Sequence, residues 1–202
     1  PASAKALRSI QQKDLQRLNP EARVLGVIRP TTEIIGHYSK TKHIGILATN
    51  GTVQSNSYPI EIHKFFPELT IEQEACPMWV PLVENNEHTT DGADYFVQKN
   101  ISEILSKDGK IDTLLLACTH YPLLKQKIEK YLPANIALIA QGDIVAHSLQ
   151  DYLQRHPEIQ GKIKTESNRR FYTTDSPSDF NSKATIFFGE PVTAEHIDLV
   201  KA

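Results

Sequence analysis

The residues best suited to chemistry lie together in one short segment: Cys118, Thr119 and His120. They follow a nearly continuous apolar run, residues 111–117, and precede a predicted helix. Backbone N–H groups at the start of a helix stabilise an anion, so a thiol there can lose its proton near neutral pH. His120 can tune that thiol or protonate a substrate group itself. Thr119 adds a hydroxyl and an N–H suited to a substrate carboxylate.

The spacing alone is also compatible with non-catalytic, structural or surface roles for these residues. Cysteine is among the most buried residue types, so Cys118 can equally be structural, with His120 at the surface. Glu84 follows the apolar residues 80–83 and can hold His120 or a substrate ammonium group. Its neighbours in the sequence, residues 85–87, favour a solvated surface acid instead. Cys76 precedes a proline, which has no N–H to stabilise a thiolate, and is predicted to be structural.

Metal and phosphate sites are not predicted. Residues 49–52, Thr-Asn-Gly-Thr, resemble an anion-binding turn, but the turn is too short for a P-loop and lacks its lysine. The histidines other than His120 have no metal-ligand spacing. Two cysteines are too few for a disulfide framework or a cysteine-rich zinc site.

Composition excludes several classes of protein. The 202 residues include 22 Lys and Arg against 24 Asp and Glu, a net charge of −2, which gives no electrostatic footprint for nucleic acid. No stretch reaches the roughly eighteen apolar residues of a membrane helix, and the first residues do not form a signal peptide. A cytoplasmic globular protein without nucleic-acid or membrane partners is therefore expected.

Short apolar strands alternate with polar turns and helices along the chain. The predicted strands span residues 24–28, 43–48, 69–75, 111–117, 136–140, 170–174 and 185–188; the predicted helices span residues 2–18, 53–66, 91–105, 123–132 and 144–153. This order predicts an α/β fold, a mainly parallel sheet flanked by helices. Ligands of such folds bind beyond the carboxyl ends of the strands. The turns at residues 49–52, 76–84 and 118–121 are therefore the candidate site.

Taken together, these turns resemble the glutamate racemase family. Residues 116–124, LACTHYPLL, are similar to its second catalytic motif, and residues 48–53, ATNGTV, to its central threonine turn. Residues 75–77 with 80–84 resemble its middle motif. Residues 26–30, GVIRP, and 188–191, FGEP, fit its domain crossing and its C-terminal end. The five landmarks fall in the family's order over nearly the whole chain.

The resemblance implies a function and a set of site residues. The family interconverts L- and D-glutamate without a cofactor, supplying D-glutamate for peptidoglycan, at a site between two α/β domains. Two cysteines act on opposite faces of the substrate. On this resemblance Cys118 is the second cysteine, His120 assists it, and Glu84 is a carboxylate near it. Thr119 and His120 bind substrate, and Thr52 is a further contact. Glutamate is the expected partner, and a homodimer is one candidate assembly.

The resemblance stops before the family's first cysteine, which lies in a Cys-Asn-Thr-Ala-Ser type motif. Residues 1–7 resemble the continuation of that motif beyond its cysteine and asparagine. The chain is therefore expected to lack one half of the two-base apparatus and to be inactive alone. Residues 1–29 and 147–202 are expected to form an incomplete first domain. Residues 30–146 then form the second, which carries the Cys-Thr-His-Tyr-Pro turn.

Two other functions remain open from the sequence. A chain without the first cysteine can be a non-catalytic module that binds an amino acid or a protein. A relative that acts on aspartate is the other alternative, because substrate choice depends on the depth of the pocket. The sequence upstream of Pro1 in the reading frame would separate a partial enzyme from a binding module.

Overall fold

Four of the apolar runs form one parallel sheet in a computed structural model, which describes residues 6–7, 9–163 and 169–199. The strands are β1 (His43–Ala48), β2 (Thr70–Ala75), β3 (Thr113–Leu116) and β4 (Ala137–Ala140). They lie in the order β2-β1-β3-β4, and each neighbouring pair is parallel. The predicted α/β class with a parallel sheet is confirmed.

Helices precede, connect and follow these strands. They are α1 (Leu15–Leu18, after a π-helical turn at Ile10–Asp14), α2 (Arg29–Thr32), α3 (Asn50–Ser55), α4 (Ser57–Ile62), α5 (Trp79–Glu84), α6 (Asp91–Lys107), α7 (Lys125–Tyr131) and α8 (Gly142–Arg155). The predicted helix over residues 53–66 is divided into α3 and α4 because Asn56 takes a left-handed conformation, φ 50°. Asparagine tolerates that conformation better than most residues.

The central strands β1 and β3 are buried on both faces of the sheet. Successive side chains of a strand point to opposite sides, so each strand contributes to two cores. On one face, Leu47 and Leu116 pack with residues of α5, α6 and α7. On the other, Ile46 and Leu115 pack with Tyr58 and other residues of α4. The two cores together fix the register and the orientation of β1 and β3.

A predicted strand at residues 24–28 is wrong. In the described part of the chain these residues pair with no strand, and Leu25 is 50% exposed while Val27 is 39% exposed. An apolar composition favours a strand, but a strand also needs a neighbouring strand with which its backbone N–H and C=O groups can form hydrogen bonds. Of the helix predicted over residues 2–18, residues 2–5 and 8 lie outside the described residues. The others are helical.

The chain divides into two compact units, Pro1–Arg155 and His156–Ala202. The second unit contains α9 (Pro157–Gln160), β5 (Phe171–Thr173), α10 (Pro177–Phe188) and β6 (Ala194–His196). Strands β5 and β6 pair in parallel. The domain boundaries expected from the sequence, at residues 29/30 and 146/147, stay a prediction. None of the described helices is long and apolar enough to cross a membrane.

The strand predicted at residues 185–188 is also wrong, since these residues end helix α10. Ser176 caps that helix by accepting the N–H of Asp179 at 3.4 Å, and Pro177 lies in its first turn. Gly189, at φ 77°, terminates it. The cap, proline and glycine outweigh the strand propensity of the apolar residues between them.

Asp112 fixes the approach to the central strands. Its carboxylate accepts the hydroxyl of Ser39 at 2.6 Å and the backbone N–H groups of Lys40 and Thr41 at 2.7 and 2.9 Å. Burial opposes ionisation of Asp112, but these hydrogen bonds outweigh it and lower the pKa of the carboxyl. The carboxylate thus ties the segment that leads into β1 to the start of β3.

We expect Asp112→Asn to destabilise the fold by about 1–2 kcal/mol at pH 7, since an amide replaces a charged acceptor of four donors, the three above and the hydroxyl of Thr113 at 3.1 Å. Because the folded pKa lies below the unfolded value of about 3.9, the stabilisation is complete above about pH 5 and is lost as pH falls through the folded pKa. Urea unfolding between pH 3 and 7 measures this. Asp151→Asn, at an exposed site on α8, is the control, and a pH-independent difference would contradict the assignment.

Candidate functional site

The turns after β2, β1 and β3 meet at one edge of the sheet. The ladders extend beyond the strand ends: the N–H of Cys76 donates to the carbonyl of Ala48 at 2.8 Å, and the N–H of Ala117 donates to that of Leu47 at 2.9 Å. Cys118 therefore follows directly on a hydrogen-bonded position. The parallel register brings the three predicted turns side by side.

His120 lies between the thiol and a carboxylate. Its Nδ1 is 3.9 Å from Sγ of Cys118 and 3.3 Å from Oγ1 of Thr119. Its Nε2 is 3.1 Å from Oε1 of Glu84, the last residue of α5. The structure thus brings together four of the five predicted site residues, although they come from segments 36 positions apart in sequence.

The carboxylate determines which nitrogen of His120 carries the proton. A carboxylate can only accept a hydrogen bond, so the Nε2 that faces Glu84 must be the donor. In the neutral ring Nδ1 is then the acceptor, and it faces the hydroxyl of Thr119 and the thiol of Cys118. The Sγ–Nδ1 distance is at the long end for a hydrogen bond, as is common for acid–base pairs without substrate. The arrangement can move a proton between sulfur and imidazole.

The thiol of Cys118 is half-buried, and its pKa is raised rather than lowered. Burial disfavours the thiolate, and this cost exceeds the stabilisation from the backbone N–H groups of His120, Tyr121 and Thr119. The expectation that the start of a helix alone would make this thiol acidic is therefore wrong. The donors are present, as the sequence predicted, but the degree of burial depends on the tertiary structure.

Cys76 is structural, as predicted. It is fully buried in the core, and burial raises the pKa of its thiol strongly, with a further contribution from the charge of Glu74. Its carbonyl accepts the hydroxyl of Tyr121 at 3.1 Å, and the ring of Tyr121 packs edge-on against Trp79 at 4.8 Å between centroids. These contacts bind the Cys76 turn to the Cys118 turn.

Thr52 lies at the same edge but is buried. Its hydroxyl is 3.1 Å from the hydroxyl of Thr49, the residue that precedes α3. The hydroxyl of Thr52 has further hydrogen-bonding positions beyond this pair, but the residue is only 1% exposed. The predicted contact of Thr52 with substrate therefore stays a prediction.

The residues singled out from the sequence do not include Gln141, which directly follows β4. The side-chain amide of Gln141 donates to the carbonyl of Leu116 at 3.1 Å and accepts the hydroxyl of Tyr58 at 2.8 Å. These partners are 25 and 83 positions away in sequence. Local sequence therefore held no signal that could have identified the contact.

Two further features bear on ligands. No group of three or more metal-ligating side chains occurs among the described residues. A cleft of about 1020 Å³ opens elsewhere on the first unit, between Leu25 and Val27 on one side and Leu149 and Tyr152 on the other. None of the five predicted site residues lines it.

Iodoacetamide should alkylate Cys118 faster than Cys76 at pH 7, because Cys118 is half-buried whereas Cys76 is fully buried. Since its pKa is raised, the rate at Cys118 should continue to increase above pH 8.5, the ordinary value for a free thiol being about 8.5. Mass spectrometry of the two cysteine peptides over time measures both rates. Faster labelling of Cys76, or a plateau at Cys118 below pH 8, would contradict the described burial.

The chain was compared with family models, with curated proteins and with solved structures. No family model matches the chain. A glutamate racemase of Listeria monocytogenes is 33% identical over 201 residues, which are 99% of this chain and 72% of that protein. Those of Streptococcus suis and Shouchella clausii are 34% and 33% identical, over 87% of this chain and 66% and 63% of theirs. The chain thus spans slightly less than two thirds of the latter two relatives.

Solved structures give the same result. Glutamate racemase isoform RacE1 from Bacillus anthracis superposes with a TM-score of 0.84 at 32% identity, over 98% of this chain and 71% of that one. The glutamate racemase of Francisella tularensis, solved in complex with D-glutamate, gives 0.82 at 26% identity, over 99% and 71%. The resemblance carried by residues 116–124 is confirmed: the chain belongs to the glutamate racemase family.

Proposed function

We propose that this chain supplies the Cys118 side of a site that interconverts L- and D-glutamate without a cofactor, providing D-glutamate for peptidoglycan. One observation carries the proposal: Cys118, His120 and Glu84 form a continuous chain of polar contacts at the ligand-binding edge of the sheet. Family membership supports the reaction, since the relatives that the chain matches are glutamate racemases.

The chemistry required of Cys118 is proton transfer at the α-carbon of glutamate. As a thiolate, Sγ takes the α-proton, and the electron pair of the broken C–H bond remains on the α-carbon, delocalised into the adjacent carboxylate. As a thiol, Sγ gives a proton to the planar carbanion. A positioned acid or base of this kind contributes about 100- to 10,000-fold in rate. His120 shuttles between its two protonation states as the sulfur gains and loses the proton.

The roles of the remaining residues follow from their chemistry. Thr119 presents a hydroxyl and a backbone N–H, both donors suited to a carboxylate of the substrate. Glu84 holds His120 in one tautomer and stabilises the imidazolium when it forms. Thr52 is proposed as a further substrate contact, next to Thr49. A cytoplasmic location and a homodimer stay predictions.

Inversion needs a second acid or base on the opposite face, because a single group tends to return the proton to the side it left. The other cysteine of this chain, Cys76, is sealed in the core and is unsuited to that role. We therefore expect the 202-residue chain by itself not to racemise glutamate, whatever its affinity for the amino acid.

The function is tested with protein expressed from its complete reading frame and with the 202-residue chain, each mixed with D-glutamate and followed by circular dichroism of the amino acid. We expect racemisation by the former and none by the latter. Turnover by the 202-residue chain well above its Cys118→Ala variant would contradict the two-base proposal. Absence of turnover by the complete protein would contradict the racemase assignment and favour a binding module.

Cys118→Ser in the complete protein should lower deuterium exchange at the α-carbon unequally for the two enantiomers. The enantiomer whose proton Cys118 removes should lose about 100-fold or more, because a serine hydroxyl is a far weaker acid than a thiol. Proton NMR in deuterated water, started from L- and from D-glutamate, measures this. Cys76→Ala is the control, and small, equal losses in both directions would argue against the assignment.

Glu84→Gln should lower kcat about tenfold, with a smaller effect on KM. The amide still reaches His120 but does not stabilise an imidazolium, and the loss is that expected for a partner that orients a functional histidine. The exposed Glu87→Gln, three residues away, is the control. Equal kcat values for Glu84→Gln and Glu87→Gln would remove Glu84 from the mechanism.

A further inference from the structure

The amide of Gln141 connects three segments of the first unit that are distant in sequence. Its Oε1 accepts the hydroxyl of Tyr58 at 2.8 Å and that of Thr31 at 3.3 Å, and its Nε2 donates to the carbonyl of Leu116 at 3.1 Å. The orientation of the amide follows from chemistry, because a carbonyl only accepts and must face the NH₂ group. Three of the hydrogen-bonding positions of one side chain are therefore used.

Two of these partners are fully buried. Tyr58 and Thr31 are both 0% exposed, and Gln141 is the acceptor for each hydroxyl. A buried hydroxyl without a partner costs about 1–3 kcal/mol. Moving Oε1 of Gln141 away would leave both hydroxyls unpaired, so these two hydrogen bonds hold the oxygen in place. The nitrogen side is consequently in a fixed position against the end of β3.

The bond to Leu116 acts on the backbone that leads to Cys118. Leu116 is the last residue of β3, and β4 ends opposite it at Ala140. The Gln141 side chain adds one more hydrogen bond to the β4 side of β3, just as the N–H of Ala117 adds one on the β1 side, to Leu47. The peptide group that joins Leu116 to Ala117 is thus held from both sides, by its carbonyl and by its N–H.

The position of this turn determines which donors reach the sulfur. The backbone N–H groups of Thr119, His120 and Tyr121 favour the thiolate of Cys118 and counteract part of the cost of its burial. A shift of the turn by a few tenths of an ångström weakens such bonds, since their strength depends steeply on distance and angle. The thiolate is therefore sensitive to whatever holds Leu116.

We propose that Gln141 is a positioning residue, which holds the Cys118 turn so that its backbone N–H groups face the sulfur. Its importance for racemisation rests on the proposed function, but its effect on the thiol does not. Gln141 touches the carbonyl two residues before Cys118 and acts through the backbone, so it is not itself a catalytic residue.

Other ionisable groups around the thiol must stay constant in the test. Four titratable side chains face it: His120, Tyr58, Tyr121 and Cys76. Glu84 lies one step further, behind His120. A substitution at Gln141 alters one of them directly, because it removes the hydrogen bond to Tyr58; Tyr58→Phe is therefore measured in parallel, to separate an effect through that side chain from one through the backbone donors.

The decisive measurement is the rate of alkylation of Cys118 by iodoacetamide between pH 6 and 10, in the 202-residue chain, followed by mass spectrometry of its peptide. Gln141→Met keeps the length of the side chain and removes its hydrogen bonds. We expect the apparent pKa to rise and the rate at pH 7.5 to fall about threefold or more, as for a shift of half a pH unit. Gln150→Met, at an exposed site on α8, should match wild type.

A second variant covers the possibility that Gln141→Met fails to fold, which far-ultraviolet circular dichroism would reveal. Gln141→Glu keeps an acceptor for Tyr58 and Thr31 but replaces the donor to Leu116 with a carboxylate oxygen. Because the added carboxylate charge also disfavours a thiolate, alkylation of this variant should slow at least as much as in Gln141→Met, and only an unchanged profile is informative, since it would contradict the proposal. Tyr58→Phe removes an oxygen-side partner only, and should lower the melting temperature while leaving the alkylation profile close to that of wild type.

A folded Gln141→Met or Gln141→Glu protein with the wild-type alkylation profile overturns the proposal, even when its melting temperature falls, because a purely structural role predicts that result. The racemase assay decides a separate question. If the complete wild-type protein does not racemise glutamate, the proposed function fails, while the alkylation profile still decides the role of Gln141.

Discussion

The parallel ladder between β1 and β3 is the constraint from which the arrangement of the site follows. It pairs Leu47 with Leu116, so the turns that follow the two strands begin at the same height. The pairing of Ala48 with Ala75 carries the β2 turn to that edge as well. Because both faces of the sheet are packed, a strand cannot slip along its neighbour without exposing one core. The packing of the sheet thus determines how the three turns of the site are aligned.

The protonation of the sulfur reflects a balance of two opposing physical effects, of which burial is the larger. The interior excludes water and favours the neutral thiol, whereas converging N–H groups favour the thiolate. A group that must both take and give a proton benefits from such a balance, since either extreme would make one of the two transfers slow. The balance belongs to the tertiary structure, because the segment that supplies the donors does not determine how deeply it is buried.

Sequence alone identified what local patterns encode. Strands are predicted over residues 43–48 and 136–140 because each is an apolar run followed by a polar turn, and the structure has β1 and β4 there. Prediction from the sequence failed where a segment's structure or a residue's role depends on groups that are distant in sequence. Residues 24–28 have the composition of a strand without a partner among the described residues, and Gln141 acquires its role from side chains up to 110 positions away. The apolar residues 185–188 have strand composition, but Ser176 and Pro177 before them and Gly189 after them define a helix.

All the polar groups near Cys118 lie at one rim of the sheet, so the opposite rim is available for engineering. The connection between α7 and β4, residues 133–135, runs there and is exposed to solvent. A fluorophore or an epitope peptide grafted into that connection would report on the molecule without crowding the reactive thiol.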